Sequence, residues 1–347
     1  MPLTTVVDDA LTRRTDSERP PGWFDRFYFN AHSGTATPLL MVGAGVYPES
    51  DLADGYAVAV TDREQINVRV SRRTGDGAVD APIGPLSWEV LDPLRSWRVR
   101  LADNPSGLTF DLTWTARTEP WECEPITMVN SGGDVMTFDH AFQSGFHRGW
   151  YAIDGDRTEV EGWIGQRDRS RGRRMAANRK GMHLWIQAQF AEESIAFIHH
   201  LDRDNRSILL DGGILTASGV DPITEVEHDL QFTDGLDLRG GSLLVTARSG
   251  RQVELTADAS VNGGGFLLGG GYGSFHGVDH GAELLEHERW QLSDPALIPR
   301  DLSYQLTDRL TAFSKVENGR TESGAGIFEF AHSRSSSYHY LPSRKQG

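Results

Sequence analysis

Arginine alternates with smaller residues along WIGQRDRSRGRR, residues 163–174, and this segment holds the first candidates for chemistry. In a β-strand, successive side chains point to opposite faces. One face of the predicted strand then carries four guanidinium groups, from Arg167, Arg169, Arg171 and Arg173. The other face carries Asp168, Ser170 and Gly172. A carboxyl group beside a hydroxyl, on a face without cations, is a candidate acid or base, so we predict Asp168 as the catalytic residue.

Two interpretations of Asp168 are open from the sequence. Burial raises the pKa of a carboxyl group and keeps it protonated near neutral pH, as an acid catalyst requires. A flanking arginine has the opposite effect and would hold Asp168 as a structural anion. In the catalytic interpretation, Arg167 and Arg173 orient Asp168 or bind a polar end of the substrate, and Ser170 also binds substrate. In the structural one, the arginines form an exposed, salt-bridged edge strand that resists pairing with another chain.

The nine tryptophans are a second set of candidates. Aromatic side chains with few polar anchors suit a pocket for an apolar ligand. We predict that Trp150, Trp163 and Trp185 bind substrate in such a pocket, which makes a hydrophobic small molecule the expected partner. Ordinary core packing is the alternative for each of them.

Other reactive residue types give weaker patterns. His276, His280, Glu283 and His287 are spaced like possible metal ligands. The HExxH pattern is absent, however, and the first of these histidines lies in a glycine-rich turn, so we predict no metal site. Cys123 lies between two glutamates, which would raise its pKa and make it a poor nucleophile.

Composition and charge exclude several classes of function. The chain has 347 residues, with 49 acidic residues against 34 Lys and Arg, and a net charge of −15. Such a charge repels phosphate backbones, so we predict no nucleic-acid partner. A single cysteine gives no reason to expect an oxidising compartment. The sequence shows no signal-peptide pattern and no run of about 18 apolar residues. We therefore predict a cytoplasmic protein without a membrane span.

The elements that must position these side chains have a hydrophobic period of two. Apolar residues alternate along LTFDLTWT (108–115) and HLWIQAQF (183–190), and on both sides of a Ser-Gly turn in SLLVTARSGRQVELTADAS (242–260). Antiparallel sheets tolerate one buried face and one solvent-exposed face. No strand–helix–strand rhythm appears, which argues against a Rossmann or TIM architecture. The sequence therefore predicts an all-β fold.

The length of the chain indicates two consecutive antiparallel β-barrel or sandwich domains. We place them at 22–137 and 138–332, between a polar leader at 1–21 and a flexible tail at 333–347. The single helix that we expect in the second half is short and covers 281–290.

Several segments, in order along the chain, resemble one protein family. RDRSRGR at 167–173 resembles an RDHSWG-type motif, and WFDRFYFNAHSG at 23–34 resembles an aromatic opening strand. SWEVLDPLRSWRVRLAD at 87–103 resembles a further segment of the family, and residues 324–329 resemble its closing Gly-x-Gly-x-x-Glu. The family is that of carotenoid 1,2-hydratase (hydroxyneurosporene synthase) and the AttH-like proteins. Many of its bacterial members are uncharacterised.

The resemblance implies two lipocalin-like domains with an apolar ligand between or within them. Related lineages include tocopherol cyclase and fungal decalin-forming cyclases, so it also implies terpenoid, polyene or polyketide-like substrates. Arg169 and Arg171 stand where the family has His and Trp, whereas the Asp168 face is unchanged. We predict a hydratase, dehydratase, isomerase or cyclase that needs no redox cofactor. The alternative is a non-catalytic carrier of a hydrophobic ligand, which a cavity without protonatable side chains would favour.

Overall fold

The structure of the protein is a computed structural model that describes residues 22–75, 82–129, 135–173, 180–260, 264–294 and 306–344. These residues form two antiparallel β-sheets and contain no α-helix. Short 3₁₀ helices lie at Pro48–Ser50 and Leu267–Gly270. The predicted all-β, lipocalin-like fold is confirmed.

The first sheet is an open half-barrel in which β11 is a central strand. Its strand order is β19-β4-β3-β2-β1-β11-β10-β7-β6-β5, with β8 and β9 paired to β10. The strands are β1 (Trp23–Ala31), β2 (Leu39–Tyr47), β3 (Leu52–Val60), β4 (Glu64–Arg73), β5 (Leu86–Asp92), β6 (Ser96–Leu101), β7 (Leu108–Ala116), β8 (Trp121–Glu122), β9 (Ile126–Val129), β10 (Val135–Ile153), β11 (Asp156–Arg173) and β19 (Glu283–Gln291).

The second sheet closes on itself, because β17 pairs with both β16 and β20, and it forms an eight-stranded barrel. Its order is β17-β16-β15-β14-β13-β12-β21-β20, with β18 added to β20. The strands are β12 (Lys180–Gln189), β13 (Glu193–Asp202), β14 (Ser207–Thr216), β15 (Gly219–Phe232), β16 (Leu238–Ala247), β17 (Gln252–Asp258), β18 (Gly264–Phe266), β20 (Thr307–Glu317) and β21 (Arg320–His332).

The period-two segments lie where the pattern predicted strands, in β7, in β12 and in the β16–β17 hairpin. The helix predicted at 281–290 is wrong. Those residues contribute to β19, which pairs antiparallel with β4 at the edge of the first sheet. The backbone hydrogen bonds of this short, polar segment are therefore made with β4 and not within a helix.

The predicted division at 137/138 falls inside β10, which pairs along its length with β11 in the first sheet. The chain passes from the first sheet to the second between residues 173 and 180, so the sheet pairing favours a domain boundary there. The domain limits remain a prediction. The predicted leader lies outside the described residues. In the segment predicted as a flexible tail, Tyr338 is buried and the Tyr340 hydroxyl is 2.8 Å from Nδ1 of His228 on the barrel.

Three apolar clusters hold the fold together. One packs on one face of the first sheet, and a second lies within the barrel. The third joins the two sheets, and it contains Tyr28 and Phe142 from the first sheet and Trp185, Ile198 and Ile327 from the second. Because one sheet covers this third cluster on each side, polar groups within it are shielded from bulk water and need hydrogen-bond partners there.

Candidate active site between the two sheets

A small cavity of about 50 Å³ lies in this interface, beside the middle of β11. Asp168 and Ser170 reach it from β11. The β1–β11 register puts Tyr28 opposite Asp168, and Arg26 opposite Ser170. The full lining is Arg26, Phe27, Tyr28, Phe138, His140, Asp168, Ser170, His183, Trp185, Ile198, Tyr272, Leu306 and Glu329. Aromatic and aliphatic surfaces thus surround a few groups that can exchange protons.

Asp168 is paired with a histidine and not with an arginine. His140 Nε2 on β10 lies 3.3 Å from Asp168 Oδ2, and both side chains are largely buried. An ionised Asp168 would accept a hydrogen bond from the Nε2–H tautomer of His140. The Sγ atom of Cys123 lies 3.9 Å from the other ring nitrogen, Nδ1. The imidazole ring of His140 therefore lies between the thiol of Cys123, which can orient it, and the carboxyl group of Asp168.

A second acidic group lies on the barrel side of the cavity. Asp308 on β20 and Glu329 on β21 are directly opposite each other, and both are buried. The Tyr28 hydroxyl donates to Asp308 Oδ2 at 2.7 Å, across the interface. Burial raises the pKa of Asp308 well above its usual value, and the charge of Glu329 raises it further. Two adjacent carboxylates in a dry site cannot both ionise without a large cost, so this pair retains a proton.

Further hydrogen bonds extend this acidic pair in both directions. His183 Nε2 lies 2.6 Å from Glu329 Oε1, and His183 Nδ1 is 2.6 Å from Nε2 of His200. On the first sheet, the Asn30 side chain donates to the Tyr28 hydroxyl at 3.3 Å. The buried network therefore crosses from the first sheet into the barrel, and the cavity lies beside it.

The arginine face of β11 does not reach the cavity. Arg167 is buried, donates to Gln143 Oε1 from Nε and Nη2 at 3.2 and 3.1 Å, and lies over the ring of Trp114. Arg169 is also buried and forms a bidentate pair with Asp25 at 3.0 and 2.8 Å. The exposed edge strand of the structural interpretation is wrong, because β11 lies between β1 and β10. Arg173, at the end of β11, lies outside the cavity lining.

The three predicted tryptophans are separated in the structure. Trp185 lines the cavity, with its ring 5.7 Å from those of both Tyr28 and His140. Trp163 instead packs against Tyr151 at 5.5 Å, in the core of the first sheet. Trp150 lies beneath the guanidinium group of Arg157.

A wider cleft of about 440 Å³ adjoins the cavity, and Arg26 lines both. Gly45 makes room for Arg26, since a Cβ atom at Gly45 would lie 2.2 Å from Cγ of the arginine. In the cleft, His276 Nδ1 is 3.0 Å from Asp54 Oδ1. Burial raises the pKa of Asp54, but His276 and Arg26 outweigh that effect and hold the pKa below its usual value.

Within the described residues, no group of three or more His, Cys, Asp or Glu side chains is placed to hold a metal.

Sequence reasoning found Asp168, Ser170 and Trp185 but missed the residues that complete the cavity. From the sequence, Glu329 is only the end of a family segment, and no pattern points to His140 or Asp308. The missing information is strand pairing, because Asp308 and Glu329 become neighbours only through the β20–β21 register. No local spacing in the sequence encodes that contact.

One family model matches the chain over residues 9–338 and describes a family of unknown function, DUF8625. The chain belongs to this family. No curated protein matches the sequence.

Solved structures are similar to the chain at low sequence identity. A Nitrosomonas europaea protein with the provisional assignment AttH has a TM-score of 0.58 and 10% identity, covering 94% of this chain and 100% of that one. CghA has a TM-score of 0.50 and 9% identity, covering 92% and 90%. Kievitone hydratase from Nectria haematococca has a TM-score of 0.45 and 12% identity, covering 93% of each chain. Among the residues that the structure describes, no helix is long and apolar enough to cross a membrane.

Proposed function

We propose that the chain is an enzyme of the hydratase, dehydratase or cyclase type that acts on a hydrophobic, unsaturated small molecule. The observation that carries this proposal is the pairing of Asp168 with His140 in the wall of a cavity whose lining also holds aromatic and aliphatic side chains and the buried carboxyl group of Glu329. Proton-transferring groups on two sides of a water-poor pocket suit reactions that start or end with a proton on carbon.

Such reactions leave the oxidation state of the substrate unchanged overall, so the proposed chemistry needs no redox cofactor. Protonation of a carbon–carbon double bond creates a cation, which water or a second double bond of the substrate then captures. Faces of aromatic rings stabilise a cation close to them. Tyr28, Phe138 and Trp185 supply such faces in the cavity lining. We propose Asp168, oriented by His140, as the acid/base residue for the oxygen-bound proton, and Ser170 as a polar contact for water or a substrate hydroxyl.

The size of the cavity limits what enters it. A volume of about 50 Å³ accommodates a few water molecules or the reacting part of a ligand, but not a whole terpenoid or polyketide. The remainder of the substrate would lie towards the wider cleft, which Trp23, Phe24 and Tyr47 help to line. Arg26, at the junction of the two spaces, would bind a polar group of the substrate.

The experiment uses an apolar extract of the source cells, incubated with the purified protein in D₂O. A proton-transferring enzyme places deuterium in a non-exchangeable C–H position of a product, which mass spectrometry detects. We expect Asp168→Asn to lower this incorporation by about 100-fold or more, the usual contribution of a general acid or base. Its melting temperature should stay close to that of the wild type, because Asn preserves the size of the side chain.

Asp111→Asn is the matched control. Asp111 is held by Arg98 through two hydrogen bonds, lies outside the cavity, and its substitution should leave incorporation unchanged. If the protein instead binds a component of the extract and returns it without deuterium, the chain is a carrier and the catalytic proposal fails.

A further inference from the structure

The barrel side of the cavity carries a second carboxyl group, Asp308, next to Glu329. Asp308 and Glu329 are cross-strand neighbours on β20 and β21, and Asp308 is fully buried. Glu329 lines the cavity directly, whereas Asp308 reaches it through the Tyr28 hydroxyl. The two carboxyl groups are therefore close together, dry, and in contact with the space where a substrate would react.

We propose that Asp308 and Glu329 form a carboxylic acid–carboxylate pair that supplies the proton for the carbon atom of the substrate, with Glu329 as the delivering, catalytic residue and Asp308 as the positioning residue that keeps a proton in the pair. This inference rests on the proposed function and assigns its acid. It also separates the two sides of the cavity by role, with the Asp168–His140 pair as the base.

The contacts around Asp308 favour its protonation. Among the described residues, the structure shows no arginine or lysine paired with Asp308, and its Oδ1 atom is buried. Instead, Asp308 accepts from a neutral phenol, Tyr28, at 2.7 Å. Burial and the neighbouring carboxylate of Glu329 both favour the neutral acid form of Asp308.

The step balances as follows for hydration of an alkene. Asp308 passes its proton to Glu329, and the proton then leaves the Glu329 oxygen while the π electrons form a new C–H bond, which leaves a carbocation on the adjacent carbon. Water adds to that carbon and loses its proton to the Asp168–His140 pair, which gives the alcohol. The proton on Asp168–His140 then returns through water in the cavity to the Asp308–Glu329 pair, so one alkene and one water yield one alcohol. In a cyclisation, a second double bond attacks the cation in place of water, and the base removes a proton from carbon.

The pair can be observed without a substrate. A protonated carboxylic acid gives an infrared C=O band that a carboxylate lacks, and ¹³C-aspartate labelling assigns such a band to an aspartic acid. We expect this band in the wild-type protein at pH 8, and we expect Asp308→Asn to remove it. Tyr28→Phe should keep the band but shift it to higher frequency, because the hydrogen bond from the hydroxyl is lost. Asp111→Asn should leave the band unchanged, since Arg98 holds that residue as a carboxylate.

The D₂O incubation then tests the role in proton transfer. Glu329→Gln and Asp308→Asn should each lower deuterium incorporation by 100-fold or more, and Tyr28→Phe should change its pH dependence. Absence of the aspartic acid band from the wild type overturns the inference. Deuterium incorporation at the wild-type level by a folded Asp308→Asn protein also overturns the inference. After either result, the proposed function would still stand if Asp168→Asn loses deuterium incorporation. If Asp308→Asn does not fold, the Tyr28→Phe band shift decides in its place, and an unshifted band overturns the inference.

Discussion

At the scale of single residues, Arg169 shows how a changed position in a motif can acquire a structural role. It stands where the resembling family has His, and in this protein it forms a bidentate, fully buried ion pair with Asp25. Removing one member of a buried ion pair leaves the other charged and without its partner. We therefore expect Asp25→Asn to lower the free energy of unfolding by about 3–5 kcal/mol, measured by urea denaturation.

Two variants control this prediction. Arg148→Ala removes a pair with Glu161 in which both side chains are more than two-thirds exposed, and it should cost less than about 1 kcal/mol. The double variant Asp25→Leu/Arg169→Leu removes both charges together and should be more stable than Asp25→Asn alone. A loss of under about 1 kcal/mol in Asp25→Asn would show that this pair does not support the fold.

At the scale of elements, β19 is the strand that sequence reasoning mistook for a helix. Its alternation is weak, because Leu284 and Leu285 are adjacent and most other side chains are polar. Its place is set by β4, whose buried Arg69 reaches Glu286 at 2.5 Å and Glu288 at 3.2 Å. These two glutamates are two residues apart and so lie on the same face of the strand.

Arg69→Ala should loosen β19 selectively. The side chain also donates to the Gly269 carbonyl oxygen at 2.9 Å, so the substitution removes three charge-assisted contacts. A hydrogen bond to a charged group is worth about 1.5–3 kcal/mol, so we expect amide exchange in 283–291 to accelerate by at least about tenfold. Hydrogen-exchange mass spectrometry checks this, with a barrel peptide covering 193–202 as the internal reference.

Arg206→Ala is the comparison for that experiment, because Arg206 pairs with Asp204 in an exposed turn. It should change exchange in 283–291 by no measurable amount. Equal acceleration of β19 and the barrel peptide in Arg69→Ala would mean that the arginine supports the whole fold, contrary to the prediction.

The same elements show what a sequence alone can predict. The strand β7, with one buried face, follows from local alternation, and so does the placement of Asp168 and Ser170 on one face of β11. The strand β12 also lies where its alternation predicts, but Gln187 and Gln189 on the expected exposed face are buried as well. The burial of the opposite face of β11 does not follow, because it depends on side chains from other strands, such as Trp114 over Arg167 and Asp25 against Arg169. Likewise, the partner of Asp168 comes from β10, and only the long-range register reveals it.

At the scale of the whole molecule, buried histidines connect stability to pH. His32 and His147 lie inside the first sheet and His199 and His228 in the barrel, and all four are buried. Burial lowers the pKa of His147 to about 3 and lowers the pKa of each of the other three to about 4. The folded protein therefore keeps these rings neutral at pH values where the unfolded chain, with an ordinary histidine pKa near 6.5, binds protons.

The free energy of unfolding should therefore hold its full histidine contribution above pH 6.5. It should fall as the pH drops from 6.5 towards 4, because the unfolded state binds more protons in that range. At pH 5, each of these four histidines contributes a loss of about 2 kcal/mol, at 1.36 kcal/mol per pH unit. Asp308 acts in the opposite direction, because its raised pKa lets the folded state bind a proton first, but it is one group against four.

Urea denaturation at pH 7 and pH 5 should therefore show that the free energy of unfolding is lower by several kcal/mol at pH 5. His287→Asn, at an exposed position on β19, should leave the decrease unchanged, whereas equal stability at both pH values would contradict the burial of neutral histidines in both sheets.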